Sequence, residues 1–145
     1  MSIFPTKILL ATDGSKEAQL AASTAIDIAN STNSELHLLV VGPVLPAHFE
    51  PTEVEPAQME RETQELFDEQ VEKAETAGGK IAQTHLRSGG TAEEIVNVAE
   101  AIGAGLIVMG SRGRGGIRRA LMGSASDSVV RHAHCPVLVV REERQ

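Results

Sequence analysis

Apolar residues fall into five short runs along the chain, separated by longer stretches in which they recur every three or four positions. The runs are Ile8–Thr12, Leu36–Val41, Ala82–Leu86, Leu106–Met109 and Val137–Val140. Each has the length of a strand, and their alternation with helical patterns predicts a parallel α/β sheet. The first helix is predicted to start from a Ser15 cap and to carry Ala18, Ala21, Ala22, Ala25, Ile28 and Ala29 along one side. Met59, Leu66, Phe67, Val71 and Ala74 mark a second helix that ends at Gly78-Gly79, its other face rich in Glu and Gln. Thr91-Ala92-Glu93-Glu94 has the form of a capping box. Ile95, Val98, Ala99 and Ile102 then supply the buried stripe of a third helix, closed by Gly103 and Gly105. A fourth runs from about Ser124 to His132 and stops before Pro136.

The chemistry concentrates where the fourth run meets the fourth helix. Gly110-Ser111-Arg112-Gly113 follows the apolar run directly, and nine residues separate Gly113 from Gly123-Ser124. Glycines at a strand's carboxyl end let backbone N–H groups approach an anion without Cβ interference, and the amino terminus of the next helix favours negative charge. The stretch therefore reads as a phosphate cradle, with Ser124 and Ser126 as further hydroxyl donors. Both the Walker A lysine pattern and the dinucleotide GxGxxG fingerprint are absent from the sequence. Arg112, Arg114, Arg118 and Arg119 form a local basic cluster within the cradle, and Arg112 or a neighbour is expected to steady polyphosphate.

The glycine spacing, the opening Lys7-Ile8-Leu9-Leu10-Ala11-Thr12-Asp13-Gly14-Ser15 and the closing Arg131-His132-Ala133-His134-Cys135-Pro136-Val137-Leu138-Val139-Val140 together resemble the ATP-binding universal stress proteins. The resemblance extends over nearly the whole chain. It implies one domain over residues 1–145, a doubly wound sheet of five parallel strands in the order 3-2-1-4-5, and a crevice between the first and fourth strands. Asp13 and Gly110 should then face each other across the switch point. By the same resemblance Asp13 contacts the nucleotide near its ribose, Ala11 and Thr12 line the adenine site through their backbone, and Val41 meets adenine by its main chain. Gly110, Arg112, Gly113, Gly123, Ser124, Ala125 and Ser126 hold the phosphates. Read from the residues alone, Asp13 is an ordinary turn carboxylate, and it is the resemblance that shifts it toward the nucleotide. Magnesium is implied through ATP, since no acidic cluster marks a metal site independently. The usual glycine–variable–proline before the third helix is replaced by Ser88-Gly89-Gly90, and Ala11 stands where some relatives carry proline.

Composition narrows the function classes. The formal net charge of −7 opposes general nucleic-acid binding, and three Phe with no Tyr or Trp leave little for a base-stacking platform. No apolar run approaches the roughly 20 residues that cross a bilayer, and the amino terminus lacks the order of a signal peptide, so a cytoplasmic protein is expected. His132, His134 and Cys135 are close in sequence but lack paired zinc-ligand spacing, and no base accompanies Cys135 as a nucleophile. Residues 42–56, rich in proline and glutamate, read either as a mobile flap or as a passive connection. Val137–Val140 is apolar and is expected at a sheet edge, where pairing with a second copy would cover it, as the resemblance also implies; the alternative is an edge protected by the charged tail Arg141-Glu142-Glu143-Arg144.

The expected function is that of a nucleotide-dependent regulatory binding protein that acts on a protein partner of unknown identity. A slow ATP hydrolase and a nucleotide-independent dimeric scaffold are the alternatives.

Overall fold

In the computed structural model, residues 2–42, 56–111 and 123–142 are described. Nine elements alternate: β1 (Lys7–Ala11), α1 (Lys16–Thr32), β2 (Glu35–Gly42), α2 (Pro56–Thr76), β3 (Ile81–Ser88), α3 (Thr91–Ile102), β4 (Leu106–Gly110), α4 (Ser124–His132) and β5 (Val137–Val140). All strand pairs are parallel, and the sheet runs β3-β2-β1-β4-β5. The expected strand order and doubly wound class are thus observed.

The order follows from where the apolar surface lies. β1 and β4 are apolar at nearly every position, as central strands of a parallel sheet must be. On one face Ile8, Leu10, Leu36, Leu38, Val40 and Val108 pack against Ala21, Ala25 and Ala29 of α1 and Ala74 of α2. On the other, Leu9, Leu39, Ile107 and Met109 pack against Ile95, Val98 and Ala99 of α3 and Val129 of α4. The chain winds outward from β1 with its helices on one face, then returns to β4 and continues the other way with its helices on the opposite face. β1 and β4 are therefore adjacent strands whose following connections diverge.

Helix ends are fixed locally. Ser15 caps α1, its Oγ accepting from the Ala18 N–H at 3.2 Å. Gly103, at φ 72°, ends α3 in the left-handed conformation that glycine adopts without penalty. The capping box expected at Thr91 is not formed. α3 starts one residue earlier than that motif requires: Gly90 is the N-cap and makes no side-chain cap, while its carbonyl accepts from the Glu94 N–H at 3.0 Å. Thr91 is consequently the first helical residue.

Candidate functional site

The carboxyl ends of β1, β2 and β4 lie side by side, together with the amino termini of α1 and α4. Register aligns Ala11 with Met109 and with Leu39, so Thr12 and Gly110 stand level at the point where the connections diverge, with Asp13 one residue beyond. Ligands of open α/β sheets bind at such a point.

Three sides are now defined. On the β1 side the Thr12 N–H donates to the Leu39 carbonyl at 3.0 Å and its hydroxyl contacts Gln70 Oε1 at 3.4 Å. Asp13 Oδ1 accepts from the Ser15 N–H at 2.9 Å, fixing the turn into α1, and Gly14 takes φ +79°. The turn-carboxylate role of Asp13 is therefore real. Val41 is half-buried on the α3 and α4 face at the end of β2.

The β4 side is tied to both helices. Gly110 presses on α1: a Cβ there would lie 2.9 Å from the Glu17 carbonyl carbon and the Ala18 nitrogen. Ser111, the next residue, donates its N–H to Val140 at 2.9 Å and its hydroxyl to the Glu17 carboxylate. Its carbonyl accepts from the Gly123 N–H at 2.6 Å and from Ser126 Oγ at 2.8 Å.

The third side is the start of α4. Gly123 is its N-cap and supplies no side-chain cap. The N–H groups of Ser124, Ala125 and Ser126 precede the first intrahelical bond, which Asp127 N–H makes to Gly123 at 3.0 Å. Ser124 is exposed and Ala125 half-buried, whereas Ser126 is buried and its hydroxyl serves the fold. Arg112 and Gly113 lie outside the described residues, as do Arg114, Arg118, Arg119 and residues 43–55. Glu17, Ser111 and Gln70 are buried participants that sequence reasoning did not single out.

A match to the universal stress protein family spans residues 5–141. The chain belongs to the universal stress protein family. It is 38% identical over 143 residues to a universal stress protein of Methanocaldococcus jannaschii, covering 96% of this chain and 84% of that one. The fold is similar to the solved structure of universal stress protein UspA from Lactobacillus plantarum, with a TM-score of 0.81 and 26% identity, covering 97% of this chain and 100% of the other. It also matches a universal stress protein solved in complex with cAMP, with a TM-score of 0.72 and 22% identity, covering 94% of this chain and 97% of that one. This last likeness concerns the fold.

Elsewhere the universal stress fold carries a second polar cluster. His37, buried on β2, sits 3.2 Å by Nδ1 from His85 Nε2 on β3 and 3.4 Å by Nε2 from the Glu35 carboxylate, the two rings inclined by only 12°. Burial, reinforced by His37 and Arg87, lowers the pKa of His85. Burial likewise raises that of the Cys135 thiol, which packs beside the α3 and α4 core. Among the described residues no helix is long and apolar enough to cross a membrane.

Proposed function

We propose that this universal stress protein is a cytoplasmic, single-domain regulatory protein that binds ATP at the divergence of β1 and β4, and that occupancy alters its affinity for a protein partner. The observation that carries the reading is the start of α4. A nine-residue helix begins on a glycine without a side-chain cap, directly beside the ends of β1 and β4. Its first amides and its dipole favour an anion there, and the glycines of the cradle let phosphate oxygens approach the backbone. The family's cAMP complex supports an adenine nucleotide as the class of ligand.

In this reading Asp13 accepts from the ribose hydroxyls, the Ala11, Thr12 and Val41 backbone frames adenine, and Gly110, Arg112, Gly113, Gly123, Ser124, Ala125 and Ser126 surround the phosphates. Ser126 contributes its amide, because its hydroxyl is already engaged. The donor set suits magnesium only as a companion of the polyphosphate. Asp13 is bound into its turn, and no group of three His, Cys, Asp or Glu comes together among the described residues. Such an ion would be held mainly through the phosphates and would offset their charge, with the exposed Ser124 hydroxyl as the side chain that could assist. Binding then shifts partner affinity only as far as ATP prefers one conformation over another. The protein also pairs with a second copy through the outer edge of Val137–Val140.

Calorimetric titration of nucleotide-stripped protein with ATP and magnesium, with ADP and AMP alongside, tests this. Saturable ATP binding that is lost in folded Gly113→Val/Gly123→Val protein supports the cradle. Absence of binding to the folded wild type leaves the nucleotide-independent scaffold as the function. Release of phosphate during the same titration would identify slow hydrolysis.

A further inference from the structure

We infer that Glu17 is a positioning residue for this site, a buried carboxylate that holds Ser111 and, through it, both ends of the glycine-bearing segment. The inference deepens the nucleotide reading and rests on it for its effect on affinity.

An acidic residue in the first turn of a helix is ordinarily solvated, favoured there by the helix dipole. Glu17 is instead 5% exposed, and its partner Ser111 is 3% exposed. A carboxylate removed from water is costly unless hydrogen-bonded, so this placement is maintained by contacts rather than tolerated by chance. The Ser111 hydroxyl donates to it across 94 residues of sequence. The close approach depends on Gly110, whose missing Cβ would stand 3.1 Å from Glu17 Cβ.

Ser111 is a junction of four elements. Its hydroxyl reaches α1, its N–H reaches β5, and its carbonyl collects the Gly123 N–H and the Ser126 hydroxyl at the start of α4. Ser111 and Gly123 flank residues 112–122, which include Arg112 and Gly113. The Glu17 bond therefore holds the end of β4 in the position from which it ties down the start of α4. It does so from the helix that follows Asp13, so this side chain adds to the direct pairing of β1 and β4 in joining the two sides of the site. A site whose frame, here Ser111 and the start of α4, is held beforehand costs less to organise when a ligand binds, and that saving appears as affinity.

The test is amide hydrogen exchange on the ligand-free protein, followed by ATP titration, for wild type, Glu17→Ala, Glu17→Gln and Ser111→Ala. Glutamine keeps an oxygen that accepts from Ser111. Exchange at Gly123 is expected to rise about tenfold or more in Glu17→Ala and Ser111→Ala, with Leu9 and Leu38 unchanged, while Glu17→Gln stays near wild type. ATP affinity is expected to fall about tenfold in the two alanine variants, and no further when they are combined. Unchanged Gly123 exchange in folded Glu17→Ala or Ser111→Ala overturns the inference. So does uniform acceleration across the whole sheet, which marks a general stabilising role. If Glu17→Ala does not fold, Ser111→Ala, which removes one hydroxyl, is sufficient to decide between these outcomes. Failure of the wild type to bind ATP with the exchange pattern as expected refutes the nucleotide reading and leaves the positioning role standing.

Discussion

The hydroxyl of Ser126 donates to the carbonyl of Ser111 from 2.8 Å, joining the first turn of α4 to the end of β4. Ser124, two residues earlier, leaves its hydroxyl exposed. The two serines should separate cleanly in mutagenesis. Ser126→Ala is expected to lower stability by about 1 kcal/mol, the usual net value of one hydrogen bond, because the Ser111 carbonyl keeps the Gly123 N–H. Ser124→Ala should stay within about 0.5 kcal/mol of wild type and weaken ATP binding. Urea unfolding and calorimetry measure the pair.

Gly110→Ala places a methyl group 2.9 Å from the backbone of α1. Backbone cannot step aside as a flexible side chain can, so α1 must shift off β4. A loss of about 1–3 kcal/mol is expected, as for overpacked cores, and chemical denaturation reads it. Gly14→Ala should be similarly harmful for a different reason, since φ +79° is strained for any residue with a Cβ.

His85 gives the fold a pH dependence of definite sign. Its pKa in the folded protein is lowered from the ordinary 6.5 by burial, with smaller contributions from His37 and Arg87. The unfolded chain therefore binds the proton more readily, and stability must fall as the medium is acidified. The contribution is fully present above pH 6.5 and is lost as pH drops through the folded value. Urea midpoints for wild type should decline from pH 7.5 to 5, and His85→Gln should flatten that decline. Equal slopes in the two proteins would contradict the assignment.

Hydrogen bonds from Ile107 N–H to Pro136 and from Ser111 N–H to Val140 turn the even-numbered residues of β5 toward β4. By alternation, Val137 and Val139 direct their backbone groups to the outer edge. Val139→Pro consequently removes an outward N–H while sparing the bonds to β4. Sedimentation is expected to show a wild-type dimer and a monomeric variant with an unchanged circular dichroism spectrum. A variant that remains dimeric would rule out pairing along this strand.

The strand centres were legible because a parallel sheet buries both faces, which leaves short unbroken apolar runs. Their ends were less so. Lys7, Glu35, Gly42 and Gly110 join strands through backbone pairing, to which side-chain polarity is a poor guide. β3, on the edge and largely exposed, runs from Ile81 to Ser88, beyond the apolar signal of Ala82–Leu86. Alternation gave a parallel sheet, and only the family resemblance supplied the strand order. Thr91 misled because Gly90 can begin the helix by itself. At the site, the glycines stood out by type and position, whereas Asp13 was singled out only by the family resemblance. Glu17 did not, since its burial arises from a partner 94 residues away and leaves no local trace.

That separation has a consequence for assembly. The bond from Ser111 to Glu17 links the start of the chain to its last third, and the sheet places β1 next to β4 only after β2, β3 and their helices have been laid down. Contacts of such range form late, because the intervening chain must first surrender its freedom. The candidate site has no half-built form: a nascent chain that has not yet completed β4 holds only its β1 and β2 sides. Nucleotide added during refolding should therefore accelerate no early step, and it should slow the first step of unfolding, the parting of α1 from the Ser111 junction.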